Sequence, residues 1–155
     1  MKWILSLFRS KKIQKRNAPL HRSQGVHYDL KSVYDRLNAL YFNDQLDLSI
    51  TWFGHPSRKV KSHRILGLYV FESRLIKIHR LLDHPRFPPY FISYIVYHEM
   101  LHSVLPPQKR KKGRCRIHHG EFKEREKCFA EYEQARQFEK QNLNLFFNVN
   151  SHGRT

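Results

Sequence analysis

From Asp29 onward, apolar and polar positions alternate along the chain with readable periods. Leu30, Val33, Tyr34, Leu37 and Leu40 or Tyr41 recur at helical spacing. This predicts an amphipathic helix with Asp29 as its N-cap and an end near Asn43-Asp44. Three short segments then alternate with period two: Leu48, Ile50 and Trp52; Leu66, Leu68 and Val70; Ile76 and Ile78. Each predicts a strand with one face turned inward. The stretch from His55 to Arg64 is polar and basic and reads as a loop.

Pro88 and Pro89 suit a helix's first turn, where a missing N–H costs nothing. The helix they open runs through Phe91, Ile92, Ile95, Val96, Met100, Leu101 and Val104, and stops at Pro106-Pro107. It is apolar nearly all round, which predicts a buried central helix. A basic loop from Lys109 to Arg116 follows, and then a long closing helix from about His118 to about Lys140. One helix, a run of strands and two helices make an α+β layer fold.

The chain has 155 residues, enough for one domain and one core. Its 40% hydrophobic and 14% aromatic content exclude global disorder. The expected organisation is a basic, poorly ordered leader over 1–26, a folded domain over 27–141 and a tail over 142–155. No apolar run approaches the roughly 20 residues of a membrane helix. The apolar run Trp3 to Phe8 is too short for a signal peptide and has no small-residue cleavage site. Beside the basic run Arg9 to Arg16, it suits a loosely docked tail better than a weak membrane-surface anchor. Two cysteines, Cys115 and Cys128, make no disulfide framework and suit a reducing, cytoplasmic compartment. The 29 Lys and Arg against 13 Asp and Glu give a formal charge of +16. Such a field favours polyanions, so nucleic acid is a candidate partner through the basic loop and the N-terminal run.

The string that carries chemistry is His98-Glu99-Met100-Leu101-His102. Residues four apart on a helix lie one turn above each other, so the two imidazoles can converge on one zinc ion. Glu99 is rotated off their face by roughly 100°, within reach of a water on that metal, whose proton it takes as general base. Two histidines and a glutamate would be costly to bury on so apolar a helix without such a purpose. A third protein ligand is then needed. On a helical wheel His118 lies within about 40° of Phe122, Phe129 and Tyr132, whereas His119 sits roughly 60–80° from Phe122 and Phe129. The aromatic face must look inward, which favours His118; His119, Glu121 and Glu124 stay as alternatives. A small structural zinc site on Cys115, His118, His119 and Cys128 is the weaker use of the same residues. Tyr94 and Tyr97 flank the motif and are open to either an oxyanion contact or plain helix packing.

These residues, in this order, resemble the SprT-like (Spartan-related) zinc metallopeptidases. The similarity covers about residues 29 to 125. It takes in Leu37-Asn38, Tyr41-Phe42, Ile50-Thr51-Trp52 and Leu66-Gly67, peaks at Tyr97 to His102, and ends on His118-x-x-Glu121-Phe122. The resemblance implies a minimal zincin-like core, one zinc ion on His98, His102 and His118, and peptide hydrolysis. In some relatives the substrates are proteins crosslinked to or bound on DNA. Many members carry a C-terminal ribbon of four cysteines, which two cysteines cannot build. The expected protein is thus a monomeric zinc peptidase; a basic nucleic-acid-binding module with a structural zinc is the reading from another class.

Overall fold

The computed structural model describes residues 22–56, 66–109, 113 and 115–146. The runs Trp3 to Phe8 and Arg9 to Arg16, most of the His55 to Arg64 loop, residues 110–112 and 114 of the basic loop, and the tail beyond 146 lie outside them.

Asp29 opens the first helix as its sequence suggests. Its carboxylate accepts from the Lys31 backbone N–H at 3.0 Å and from Ser32 Oγ at 2.8 Å, giving the first turn partners it otherwise lacks. The helix, α1 (Leu30–Phe42), ends at Asn43, which takes the left-handed conformation at φ 51°. Leu30, Tyr34, Leu37 and Phe42 form its buried face.

Three strands follow: β1 (Ser49–Phe53), β2 (Gly67–Val70) and β3 (Leu75–His79). They form one sheet in the order β1-β3-β2, with β1 parallel and β2 antiparallel to β3. Ile50 pairs with Ile76 and Trp52 with Ile78, and all four are buried. In β2 the phase differs from the expected one. Leu68 registers with Lys77 and is 40% exposed, while Gly67 and Tyr69 register with Ile78 and Ile76. Because the side-chain period is two, this register turns Leu68 away from the Ile76 and Ile78 face.

The two sheet edges are unlike. At β1 the Trp52 N–H and Thr51 Oγ1 both donate to the Arg22 carbonyl, at 3.1 and 3.2 Å. Strand β2 pairs with β3 alone among the described residues. A 3-10 turn (Arg80–Leu82) then leads to Asp83, whose carboxylate accepts backbone N–H groups from Val26, His27 and Tyr28 at 2.6, 2.8 and 3.1 Å. This ties the approach to α1 onto the turn below the sheet.

Helix α2 (Pro89–Val104) has Pro at its first position and is buried along most of its length. Its burial against α1, β2 and β3 makes it the centre of the core. Beyond it come a short hairpin, β4 (Gln108–Lys109) with β5 (Cys115–Arg116), and then α3 (Gly120–Glu126), α4 (Tyr132–Gln141) and α5 (Leu143–Phe146). The single closing helix expected over His118 to Lys140 is therefore broken, with turns between Glu126 and Tyr132. Neither proline nor glycine breaks it. Phe129 is buried against Tyr97 and Tyr41, and the Ala130 N–H freed at the break donates to the Tyr41 hydroxyl at 3.1 Å. Tertiary contacts with α1 and α2 thus override local helix preference. The core also takes in Phe146, packed on Phe87 and Phe91. Among the described residues, then, the fold is mixed α+β, and no helix is long and apolar enough to cross a membrane.

Candidate metal centre

His98 and His102 stand one turn apart on α2, and both rings turn toward the segment that precedes α3. His118 reaches them from that segment. The three Nε2 atoms form a near-equilateral triangle, 3.2 Å from His98 to His102, 3.1 Å from His98 to His118 and 3.2 Å from His102 to His118. Zinc bound tetrahedrally at 2.0–2.1 Å spaces its nitrogen ligands by about 3.3 Å, so the triangle matches what such an ion requires. Phe122 lies beneath all three rings, with centroids 5.1, 4.7 and 4.8 Å from His98, His102 and His118. It is wholly buried. One aromatic plate therefore fixes the height of three imidazoles delivered by two separate pieces of chain.

The protonation states suit a cation. Burial, with the neighbouring His98 and His118, pushes His102 down to about 4. Burial and His98 likewise lower His118. Both rings are neutral at pH 7 and offer lone pairs, the form in which imidazole binds metals. His98 is oriented from behind. Its Nδ1 lies 2.6 Å from Glu126 Oε1, which also accepts from the Tyr94 hydroxyl at 2.8 Å. Burial opposes the charge on Glu126, but hydrogen bonds from His98 and Tyr94 outweigh it and hold the carboxyl below its usual range. An ionised carboxylate only accepts, so His98 Nδ1 carries the hydrogen and Nε2 is left to face the triangle. This carboxylate–histidine pairing fixes a metal ligand's tautomer and raises its basicity.

Glu99 points elsewhere. One residue on from His98, its side chain packs under the start of β2 and is 6% exposed. The Tyr69 backbone N–H donates to it, yet burial dominates and pushes its carboxyl up to about 7. A carboxyl poised there exchanges protons readily near neutral pH. Room for it depends on Gly67: a Cβ at that position would stand 2.5 Å from Glu99 Oε1 and 2.7 Å from its Cγ. Any side chain in place of Gly67 would force the carboxylate to move.

Of the sequence candidates, His98, His102 and His118 come together and are the one group among the described residues able to hold a metal ion. His118 does so for a different reason than the helical wheel gave. It precedes α3, and His119, in extended conformation, is the residue that caps it. His119 turns away, is 3% exposed and leaves its Nδ1 without a hydrogen-bond partner among the described residues. Glu121 is exposed, and Glu124 pairs with Lys127 at 3.0 Å. Cys115 and Cys128 are free and exposed, so the small structural site on Cys115, His118, His119 and Cys128 is not assembled. Tyr97 donates to the Arg125 carbonyl at 2.7 Å and so serves packing, while Tyr94 supports Glu126.

Glu126 is the residue that sequence reasoning missed. Its signal was present: it falls four residues after Phe122 and so on the same helical face. The chain with this site matches no protein-family model, no curated protein and no solved structure in the comparisons made.

Proposed function

We propose that the protein is a zinc-dependent peptidase with a zincin-like core of the SprT-like kind. The observation that carries the reading is the convergence of three imidazole nitrogens, to within 3.2 Å, beside the buried carboxylate of Glu99. His98, His102 and His118 would hold the ion, a three-residue donor set of the sort that leaves a coordination position open for substrate or water. A zinc ion bound there lowers the pKa of water and polarises a carbonyl group.

The remaining steps belong to the chain's own residues. Glu99 takes a proton from the attacking water and later passes it to the departing amine. Glu126 keeps the His98 ring in one tautomer throughout. Strand β2, which pairs with no strand on its outer side among the described residues, lies against Glu99 and can receive an extended peptide by strand addition. That favours unfolded or extended protein segments as substrates. The +16 charge adds attraction for nucleic acid or proteins carried on it. On this reading the enzyme works as a monomer in the cytoplasm.

The test is proteolysis of a loosely folded basic protein by the zinc-loaded chain, with and without single-stranded DNA, against Glu99→Gln. Degradation by the wild type and not by the variant is expected. Equal degradation by both, or none by either, would remove the peptidase reading.

A further inference from the structure

Two recesses meet at the histidine triangle, and their chemistry differs. Both are lined in part by Gly67, His98, Glu99 and His118. The one toward α4, about 550 Å³, is bordered by Lys123, Glu126, Lys127, Arg136 and Glu139. The other, about 430 Å³, is bordered by Leu68, Tyr69, Phe71, Pro107 and Ile117. The first sets these five charged side chains beside Leu66, Tyr94, Ile95 and Tyr132, whereas none of the five named for the second is charged.

The apolar recess is unusual for what it leaves in water. Seven large hydrophobic side chains are exposed among the described residues, and three of them stand around this one opening: Leu68 at 40%, Phe71 at 64% and Ile117 at 50%. Tyr69 and Phe71 meet edge to face at 6.2 Å and 84°, making one wall stiff. Leu68, Tyr69 and Phe71 project from β2 and its turn, the open sheet edge, while Pro107 and Ile117 come from the hairpin joining His102 to His118. Exposed apolar groups gathered beside a polar reactive centre mark a binding site rather than ordinary surface.

We propose that this recess is a specificity pocket for a large aliphatic or aromatic side chain of the substrate, next to the bond to be cut. The assignment rests on the peptidase reading and deepens it. Its argument is continuity. His98, Glu99, His102 and His118 line the recess as well as the centre, so a side chain seated there belongs to a residue flanking the reacting carbonyl. An extended peptide added to β2 would then leave its neighbours on the charged side, where small and polar side chains are tolerated. The preference comes from apolar area removed from water on both partners.

A mixture of short peptides randomised around one central bond, digested by the zinc-loaded protein and read by mass spectrometry, tests it. Cleavage beside Leu, Phe or Met should exceed cleavage beside Asp or Gly by about 10- to 100-fold in kcat/KM. The double variant Leu68→Ala, Phe71→Ala should lose most of that ratio through KM while keeping its zinc, since neither side chain belongs to the buried core. Cleavage without apolar preference would overturn the pocket and leave the peptidase reading standing. A preference that survives intact in the double variant would also overturn it. No cleavage of any peptide would overturn both. Should the double variant fail to bind zinc, the preference of the wild type decides the matter alone.

Discussion

Helix α2 and the chain that follows it supply the same centre by opposite means. Within α2, His98, Glu99 and His102 are spaced by the helix itself, and the helix is fixed by burial on nearly every side. Beyond Leu105, the chain leaves the core, forms the β4–β5 hairpin and returns through Ile117 to His118, which is exposed. Its ring still closes the triangle to within 3.2 Å. The difference shows that a regular element can place two ligands by periodicity. A ligand on an irregular segment needs something outside that segment to hold it. Here Phe122, one turn into the following helix and wholly buried, meets all three rings.

The comparison breaks most sharply at the ligands. His98→Ala and His102→Ala should each abolish stoichiometric zinc binding, and His118→Ala should do the same despite its exposure. His119→Ala should leave one zinc per chain. Metal analysis of the four purified proteins checks this, and zinc retained by His118→Ala but lost from His119→Ala would reverse the assignment. Next in size, Glu99→Gln should lower turnover by about 10²- to 10⁴-fold with metal content unchanged, since Gln keeps the shape but cannot accept a proton. Activity within a few-fold of wild type would exclude Glu99 as the base.

Phe122→Ala sharpens the contrast between the two segments. Emptying that buried site should cost about 3–5 kcal/mol of stability, and zinc affinity should fall through His118 before the α2 pair is disturbed. Urea denaturation with zinc titration reads both effects. Removing the partner behind His98 should be gentler: Glu126→Ala is expected to weaken zinc binding by about 10- to 100-fold, with Glu126→Gln between it and wild type. A competition titration with a chelator would show it, and unchanged affinity in Glu126→Ala would separate Glu126 from the centre.

The smallest effect is on stability against pH in the metal-free protein, where two groups of α2, the buried Glu99 and the half-buried His102, oppose each other. Glu99 titrates near 7 when folded and 4.5 when not. Its raised value stabilises the fold below pH 4.5, and that contribution is lost as pH rises toward 7. His102 titrates near 4 when folded and 6.5 when not, so stability is lost as pH falls from 6.5 toward 4. In the wild type these slopes partly cancel. Glu99→Gln removes one of them: at pH 8 the variant should be more stable, by about 1 kcal/mol after the cost of burying an amide. Toward pH 5 the gain should shrink, because Glu99 of the wild type regains its proton there while His102 contributes equally to both proteins. Urea titrations at both pH values measure it, and a gain larger at pH 5 than at pH 8 would contradict the assignment.

Local chemistry alone fixed a good part of this protein. The bounds of α1 follow from the Asp29 cap and the Asn43 exit, and those of α2 from Pro88-Pro89 and Pro106-Pro107, because caps and prolines act within a turn of themselves. The alternation of Ile50 with Trp52 and of Ile76 with Ile78 gave two strands and their buried face. The His98, Glu99 and His102 constellation was legible because one helix carries all three.

Tertiary structure decided what no local period encodes. It set the phase of β2, where pairing with β3 turned Leu68 outward and brought Gly67 over Glu99. It broke the closing helix at Phe129, whose burial against α1 and α2 outweighed helix propensity. It gave the preference for His118 over His119, already made from the sequence, a different basis, since Phe122 supports one ring and the start of α3 turns the other away. It also set Glu126 behind His98, across 28 residues of sequence. Each of these depends on a contact between distant segments, whose free energy comes from burial and hydrogen bonding that exist only once the chain has closed on itself.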